Sequence, residues 1–157
     1  MNDRFKFRVW DKKERKLLNV GLIDFRCGNA WFEELISDDS PYGILRECNF
    51  EIMQCTGLKD KNGKLIFEND VVKVNWLAEL GTTEIDCEHI GIIKFYDCGF
   101  YVMFNPPYKR FIAPEQYYEE MGLPLCESSY KKDESTMQYE VIGNIHQNRE
   151  LLEKGGK

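Results

Sequence analysis

The sequence predicts a mainly β protein, α+β overall, organised around a small antiparallel barrel or sandwich. Only three alanines occur among the 157 residues, and aromatic residues make up 13% of the chain. Together with the many Ile and Val residues, this composition favours pleated, half-buried strands over helices. Short alternating segments joined by turn residues follow one another along the chain, a pattern typical of small barrels and sandwiches.

Composition excludes several classes of protein. Hydrophobic residues are 43% and charged residues 31%, which indicates a folded globular chain. The longest apolar runs are far shorter than the roughly 20 residues that a membrane-spanning helix needs. The first ten residues alternate charged and aromatic types, so we expect neither a signal nor a transit peptide. The net charge of -6 disfavours a protein that coats nucleic acid.

The six cysteines indicate a reducing compartment. No pair has the two-residue gap of a zinc knuckle or a redox motif. With no signal peptide expected, we interpret all six as reduced thiols, mostly buried as small apolar side chains, in a cytoplasmic protein. They are Cys27, Cys48, Cys55, Cys87, Cys98 and Cys126.

Residues 1–48 are predicted to form a hairpin followed by a short helical segment. Phe5, Phe7 and Val9 alternate with polar residues and predict a strand with one buried face. The polar residues 11–16 follow as its turn, and residues 17–20 as the returning strand. Beyond residue 21 the pattern weakens, and a helical spacing of apolar residues predicts one face of a short helix. Its members are Trp31, Phe32, Leu35 and Ile36.

Residues 49–157 are predicted to form the main β domain. Alternation is clear in residues 50–55 and 72–76, and Asn62-Gly63 between them is the strongest short-range signal for a hairpin turn. Residues 78–89 are acidic and predicted to be irregular. Residues 90–96 and 100–104 flank a turn in which Gly99 is expected at the left-handed position.

The end of this domain is predicted to hold a long inserted loop and one last strand. The loop covers about residues 105–136, with a helix expected over 114–121 because proline favours a first helical turn. Residues 139–145 alternate as the last strand. A short helix is expected to follow Asn148, whose side chain suits the N-cap position.

Three segments resemble one protein family. The run from Met53 to Val72, MQCTGLKDKNGKLIFENDVV, is similar to the signature of the YopX family, which bacteriophages and prophages encode. Residues 7–11, FRVWD, resemble the opening strand of that family, and residues 139–146, YEVIGNIH, its closing motif. The chain carries Asn69 where members usually have glycine, and asparagine also tolerates a positive φ.

The resemblance implies a fold more than an activity. It implies a small β-barrel of the Src-homology-three type, preceded by a smaller α+β segment, and association of the protein with itself. No activity is established for the family, so the resemblance supplies no catalytic residues and no cofactor.

Three clusters invite a chemical interpretation and also have a structural one. Residues 59–64 place glycine beside lysine, but the strand predicted to follow is the wrong context for a phosphate loop and favours a hairpin tip. Residues 86–89, DCEH, are of types that bind metal ions, and the alternative interpretation is a solvated acidic loop. Glu68 and Asp70 are either paired carboxylates for acid–base or magnesium chemistry, or residues that bind the amides of a tight turn.

The main surface candidate lies in the inserted loop. Aromatic and basic residues alternate there, and such residues are enriched at binding hot spots. The alternatives are a loop that buries its own tyrosines and a stacking surface for single-stranded nucleic acid. The candidate partner-binding residues are Tyr108, Lys109, Arg110, Phe111, Tyr117 and Tyr118.

These observations predict a non-enzymatic interaction protein of phage or prophage origin. We expect it to act in the cytoplasm of the bacterial host, to associate with itself and to bind a host or phage protein. The alternative is a small-barrel module that binds nucleic acid. No cofactor, no metal and no membrane are expected.

Overall fold

The computed structural model describes residues 3–33, 42–44, 49–80, 83–96, 98–104, 123–125 and 137–151. The chain groups into two compact units, residues 1–57 and residues 58–157. The domain boundary expected near residue 48 stays a prediction. The described residues are mainly β, and every strand pairing is antiparallel, as the sequence predicts. No closed barrel is found among the described strands.

The first unit is built from five strands: β1 (Phe7–Asp11), β2 (Lys16–Asp24), β3 (Asn29–Phe32), β4 (Tyr42–Ile44) and β5 (Phe50–Lys59). Their order in the sheet is β4-β3-β2-β1-β5. A 3-10 turn, Asp3–Phe5, precedes them. The predicted strand and its return are confirmed from Phe7 onward, but Phe5, predicted in the same strand, lies in the 3-10 turn and is 70% exposed. The prediction of one buried face is wrong, because Arg8 and Trp10 are buried as well as Val9, so both faces of β1 are covered.

The core of the first unit lies on one face of these strands. Its buried residues are Val9, Leu18, Ala30 and Phe32. The ring of Phe32 packs on that of Phe50, with 5.6 Å between the ring centroids.

The helix predicted over residues 31–36 is wrong where the structure describes it. Trp31 and Phe32 lie in β3, which pairs with β2 on one side and β4 on the other. Burial alternates along β3, with Ala30 and Phe32 buried and Trp31 exposed, so the period is two and not 3.6. Leu35 and Ile36 lie outside the described residues.

The second unit holds β6 (Leu65–Phe67), β7 (Asp70–Leu80), β8 (Thr83–Tyr96), β9 (Gly99–Phe104), β10 (Leu123–Pro124) and β11 (Gln138–Asn144). Five of these strands form a sheet of order β10-β9-β8-β7-β11. The end of β5, from Leu58, also belongs to this unit. Six buried residues form the core: Ile66, Val72, Val74, Ile93, Val102 and Tyr139.

Two predictions about this unit are wrong. Residues 78–80 and 83–89, predicted as irregular, belong to the long pair β7–β8, whose register runs from Val71 opposite Ile92 to Leu80 opposite Thr83. Acidic residues alternate with apolar ones from residue 84 to 88, and this strand period was hidden by the acidic composition. At the β8–β9 turn the left-handed residue is Cys98, with φ 62°, and not Gly99.

Candidate functional site

The six predicted partner-binding residues, Tyr108 to Tyr118, lie outside the described residues. Their role therefore stays a prediction. Two other features of the second unit are described in full. One is a polar cluster where residues 60–70 meet the closing segment 139–146, and the other is an exposed aromatic hairpin end.

The Asp60 turn, residues 60–64, is a hairpin tip and not a phosphate loop. The amide of Asp60 donates to the carbonyl of Lys64 over 2.8 Å, and Gly63 takes the positive φ, 82°. Oδ1 of Asp60 accepts from the amides of Asn62 and Lys64, each over 2.9 Å. The strand Leu65–Phe67 follows directly. The turn therefore satisfies its own amides instead of offering them to phosphate.

Asp60 also joins this turn to the last strand. Its Oδ2 accepts from the amide of Val141 over 3.1 Å, across 81 positions of sequence. Beside it, the amide of Lys61 donates to the carbonyl of Tyr139 over 2.9 Å, and Lys61 Nζ lies 2.7 Å from Glu140 Oε2. These bonds occupy the outer edge of β11, which would otherwise expose unpaired peptide groups.

The environment of Asp60 favours its charged form. Burial opposes ionisation and by itself raises the pKa of Asp60. The amide hydrogen bonds from Val141, Lys64 and Asn62 outweigh burial and hold the pKa below the ordinary value of 3.8. Asp60 is thus a buried carboxylate committed to backbone donors, and not a general acid or base.

The Asn69 turn, residues 68–70, joins the central and closing segments of the resemblance. Asn69 has φ 64°, as predicted for this position. Its carbonyl accepts from the amide of Ile145 over 3.0 Å and from Nδ2 of Asn144 over 2.8 Å. Its side chain accepts from Nζ of Lys94 over 2.6 Å. Asn69 and Asn144 are both buried, so these bonds satisfy groups withdrawn from water.

The two carboxylates of this turn have different roles. Asp70 is 1% exposed, and its Oδ2 accepts from the amide of Phe67 over 2.9 Å. Asp70 therefore binds an amide at the turn, which is the second of the two interpretations that the sequence allows for this residue. Glu68 is only half-buried. The turn is thus built to hold backbone geometry.

The acidic segment 86–89 is a strand, so its residues alternate between faces. His89 pairs in register with Val74, and its ring packs edge-on against Phe104, with 5.7 Å between the centroids. Burial lowers the pKa of His89. Within the described residues, no three His, Cys, Asp or Glu side chains converge in a way that could hold a metal ion.

Three of the six cysteines are described with their side chains, and all three are free thiols. Cys55 is fully buried, and burial raises the pKa of its thiol. Cys27 and Cys98 are exposed, so the expectation that the thiols are mostly buried is wrong for these two.

The end of the β8–β9 hairpin carries four aromatic residues, which we call the aromatic tip: Phe95, Tyr96, Phe100 and Tyr101. The side chains of Phe95 and Tyr96 are 50% and 57% exposed. The rings of Phe95 and Phe100 lie 5.1 Å apart and those of Tyr96 and Tyr101 lie 6.4 Å apart, both edge-to-face. Each face of the hairpin therefore presents one ring pair, held in place by its partner ring.

Sequence reasoning missed this surface although its signal was present. Phe95-Tyr96 and Phe100-Tyr101 flank the predicted turn symmetrically. Adjacent strand residues point to opposite faces, so one ring of each dipeptide is expected on the core face and the other on a face that a neighbouring strand partly covers. The β8–β9 pair, however, continues past Asp70, the first residue of β7, so its end lies beyond that neighbouring strand.

The fold and these features define a class: a mainly β protein whose polar clusters fix backbone turns and whose described part exposes an aromatic hairpin end. The family described as YopX protein matches residues 6–153. The match covers nearly the whole chain, and the chain belongs to the YopX family. The resemblance stated from residues 7–11, 53–72 and 139–146 is confirmed.

One solved structure shares the fold over nearly its full length. It is described as the crystal structure of protein EF1440 from Enterococcus faecalis. The two chains are 28% identical with a TM-score of 0.51, and the match covers 94% of this chain and 96% of that one. No curated protein matches the sequence. No helix in the described part of the chain is long and apolar enough to cross a membrane.

Proposed function

We propose that this YopX protein is a non-enzymatic interaction protein of phage or prophage origin. It acts in the cytoplasm of the bacterial host, where it associates with itself and binds a protein partner. The observation that carries the proposal is the aromatic tip, because exposed aromatic side chains held in fixed positions are typical of protein-binding surfaces.

The polar clusters support a non-enzymatic role. The carboxylates of Asp60 and Asp70 accept from backbone amides, and the side chain of Asn69 accepts from Lys94. Groups committed in this way are poor general acids, bases or metal ligands, since their geometry is already fixed by the turns they hold.

We also propose that the second unit, which includes β6, builds a small barrel of the Src-homology-three type. The bonds from Asp60 and Lys61 to β11 support this, because they join the β5–β6 turn to the outer edge of the five-stranded sheet. In a closed barrel the first and last strands lie side by side, and these bonds bring the β5–β6 turn to the last strand. The smaller α+β segment implied by the resemblance remains part of the same proposal.

Self-association is tested by the solution mass of two double variants. Phe95→Ser with Tyr96→Ser removes both exposed rings of the aromatic tip. Phe5→Ser with Phe25→Ser is the matched control, because it removes two rings that are 70% and 72% exposed in the first unit. We expect multi-angle light scattering to give a mass above the 18.5 kDa of one chain for the wild type and the control, and a lower mass for the tip variant.

Far-UV circular dichroism of both variants establishes that the fold is intact. A wild type that stays at the mass of one chain over the concentration range would contradict self-association. An unchanged mass in the folded tip variant would remove the aromatic tip from the self-association surface.

A further inference from the structure

The long pair β7–β8 extends beyond the described parts of both neighbouring strands. In the described residues, the pairing of β11 with β7 reaches only to Asn75, and the pairing of β9 with β8 reaches only to Gly91. Residues 76–80 and 83–90 therefore continue as a two-stranded ribbon with no third strand in the part of the chain that the structure describes. We call residues Thr83 to Ile90, on the side away from β7, the β8 edge.

The hydrogen bonds fix which peptide groups face outward at the β8 edge. In an antiparallel sheet, alternate residues direct their N–H and C=O groups to opposite sides of the strand. The carbonyl of Tyr139 and the amide of Val141 bond to Lys61 and Asp60, on the side of β11 away from β7. The peptide groups of Glu140, which lies between them, therefore face β7.

The register of the sheet extends this assignment of peptide-group directions from β11 through β7 to β8. Glu140 pairs with Lys73, so the peptide groups of Lys73 face β11. Those of the next residue, Val74, therefore face β8. Val74 pairs with His89, and His89 faces β7 in return. The residues of the β8 edge whose peptide groups face away from β7 are Glu84, Asp86, Glu88 and Ile90.

The outward positions are mostly acidic. Glu84, Asp86 and Glu88 alternate along the edge, and residues 76–89 contain four acidic residues with no lysine or arginine. Alternate residues of a strand share a face, so an added strand with basic residues at alternate positions matches them as cross-strand neighbours. The ion pair between Lys73 of β7 and the exposed Glu88 is an example of this pairing within the chain.

We propose that the β8 edge binds an extended basic segment of a partner protein by adding it as a further strand. Backbone hydrogen bonds to outward peptide groups supply the docking, and the alternating carboxylates select basic residues over acidic ones. A second copy of the β8 edge is disfavoured, because antiparallel pairing would place like charges opposite one another. The inference rests on the proposed function of protein binding, and it concerns a surface distinct from the aromatic tip.

The test uses the full chain and labelled synthetic peptides, with binding read by fluorescence anisotropy. The first peptide alternates lysine with threonine and valine, and an isomer of the same composition groups its lysines together. Two further versions of the first peptide carry N-methyl groups on one or the other alternate set of amides. We expect the alternating peptide to bind, the grouped isomer to bind more weakly, and only one of the two N-methyl versions to retain binding.

Charge reversal locates the binding surface. Glu84→Lys with Asp86→Lys is expected to weaken binding of the alternating peptide by roughly tenfold or more. Glu14→Lys with Glu150→Lys changes the net charge equally at exposed positions and is expected to preserve binding. Far-UV circular dichroism confirms the fold of both double variants.

Several results would overturn the proposal. Equal binding of both N-methyl versions and of the grouped isomer would show adsorption by charge alone. Equal weakening by both charge reversals would place the peptide elsewhere. No binding to the wild type at low salt would show that the edge is not open to a strand. Because the wild type retains its aromatic tip, a failure here leaves the mass test of the tip variant unaffected.

Discussion

Replacing Asp60 by alanine is expected to lower the free energy of unfolding by about 3 kcal/mol. Its carboxylate accepts three backbone hydrogen bonds, from Asn62, Lys64 and Val141, and the last of these joins two distant segments. Asp60 is 7% exposed and Val141 is half-buried, so water does not readily replace the carboxylate that the Val141 amide loses. Chemical denaturation followed by far-UV circular dichroism measures the change.

Asp24→Ala is the matched control for this substitution. Oδ1 of Asp24 also accepts two amides of a turn, from Arg26 and Cys27, but at an exposed site. We expect that control to lower the free energy of unfolding much less than Asp60→Ala, since water replaces the lost acceptor. Equal losses for the two variants would mean that the bond to Val141 contributes nothing to stability.

The same carboxylate gives the stability a pH dependence. Because folding lowers the pKa of Asp60 below 3.8, its contribution is complete above the unfolded-state pKa and is lost as the pH falls through the folded-state pKa. The unfolding free energy of Asp60→Asn is therefore expected to decline less steeply than that of the wild type below about pH 4. Parallel slopes for the two proteins would contradict this assignment.

Gly91→Ala is expected to destabilise the protein by about 2 to 3 kcal/mol. A Cβ at this buried position would lie 2.5 Å from Val102 Cγ1, 3.0 Å from the carbonyl of Met103 and 3.1 Å from Phe104 Cδ1. The carbonyl belongs to β9 and the Val102 side chain to the core, so neither yields without disturbing the β8–β9 pair. Thermal unfolding followed by circular dichroism measures the loss.

Gly21→Ala serves as the control for steric crowding in a strand. Its Cβ would meet its nearest neighbours, the carbonyl of Trp31 and Cγ of Glu33, at the ordinary distances of 3.7 and 3.9 Å. We expect a change within about 1 kcal/mol of zero for this variant. Equal unfolding temperatures for the two variants would contradict the prediction that close packing of β8 on β9 excludes a side chain at Gly91.

Local patterns in the sequence predicted much of the fold. Alternation predicted β1 and the start of β7, and turn chemistry predicted the positive φ of Asn69 and the hairpin tip at Asn62-Gly63. These features depend on residues close together in sequence. Acidic composition hid the strand period in residues 84–88, where charge was interpreted as solvation.

The remainder depends on contacts between distant residues. Nothing near Asp60 in sequence indicates that its carboxylate accepts from Val141, and nothing near Asn144 indicates that its amide reaches Asn69. Sequence analysis predicted a hairpin tip and a tight turn in one motif and a strand in the other, with no link between them. The structure shows that they form one hydrogen-bonded network of the second unit.

The central claim, protein binding through the aromatic tip, is tested most directly by capture from a lysate of induced host cells. Tagged wild type and the variant Phe95→Ser with Tyr96→Ser are each used on nuclease-treated and untreated halves, and mass spectrometry identifies what is bound. We expect one protein in stoichiometric amount with the wild type in both halves, and its loss with the folded tip variant. Capture that disappears on nuclease treatment, or that the tip variant retains in full, would contradict the account.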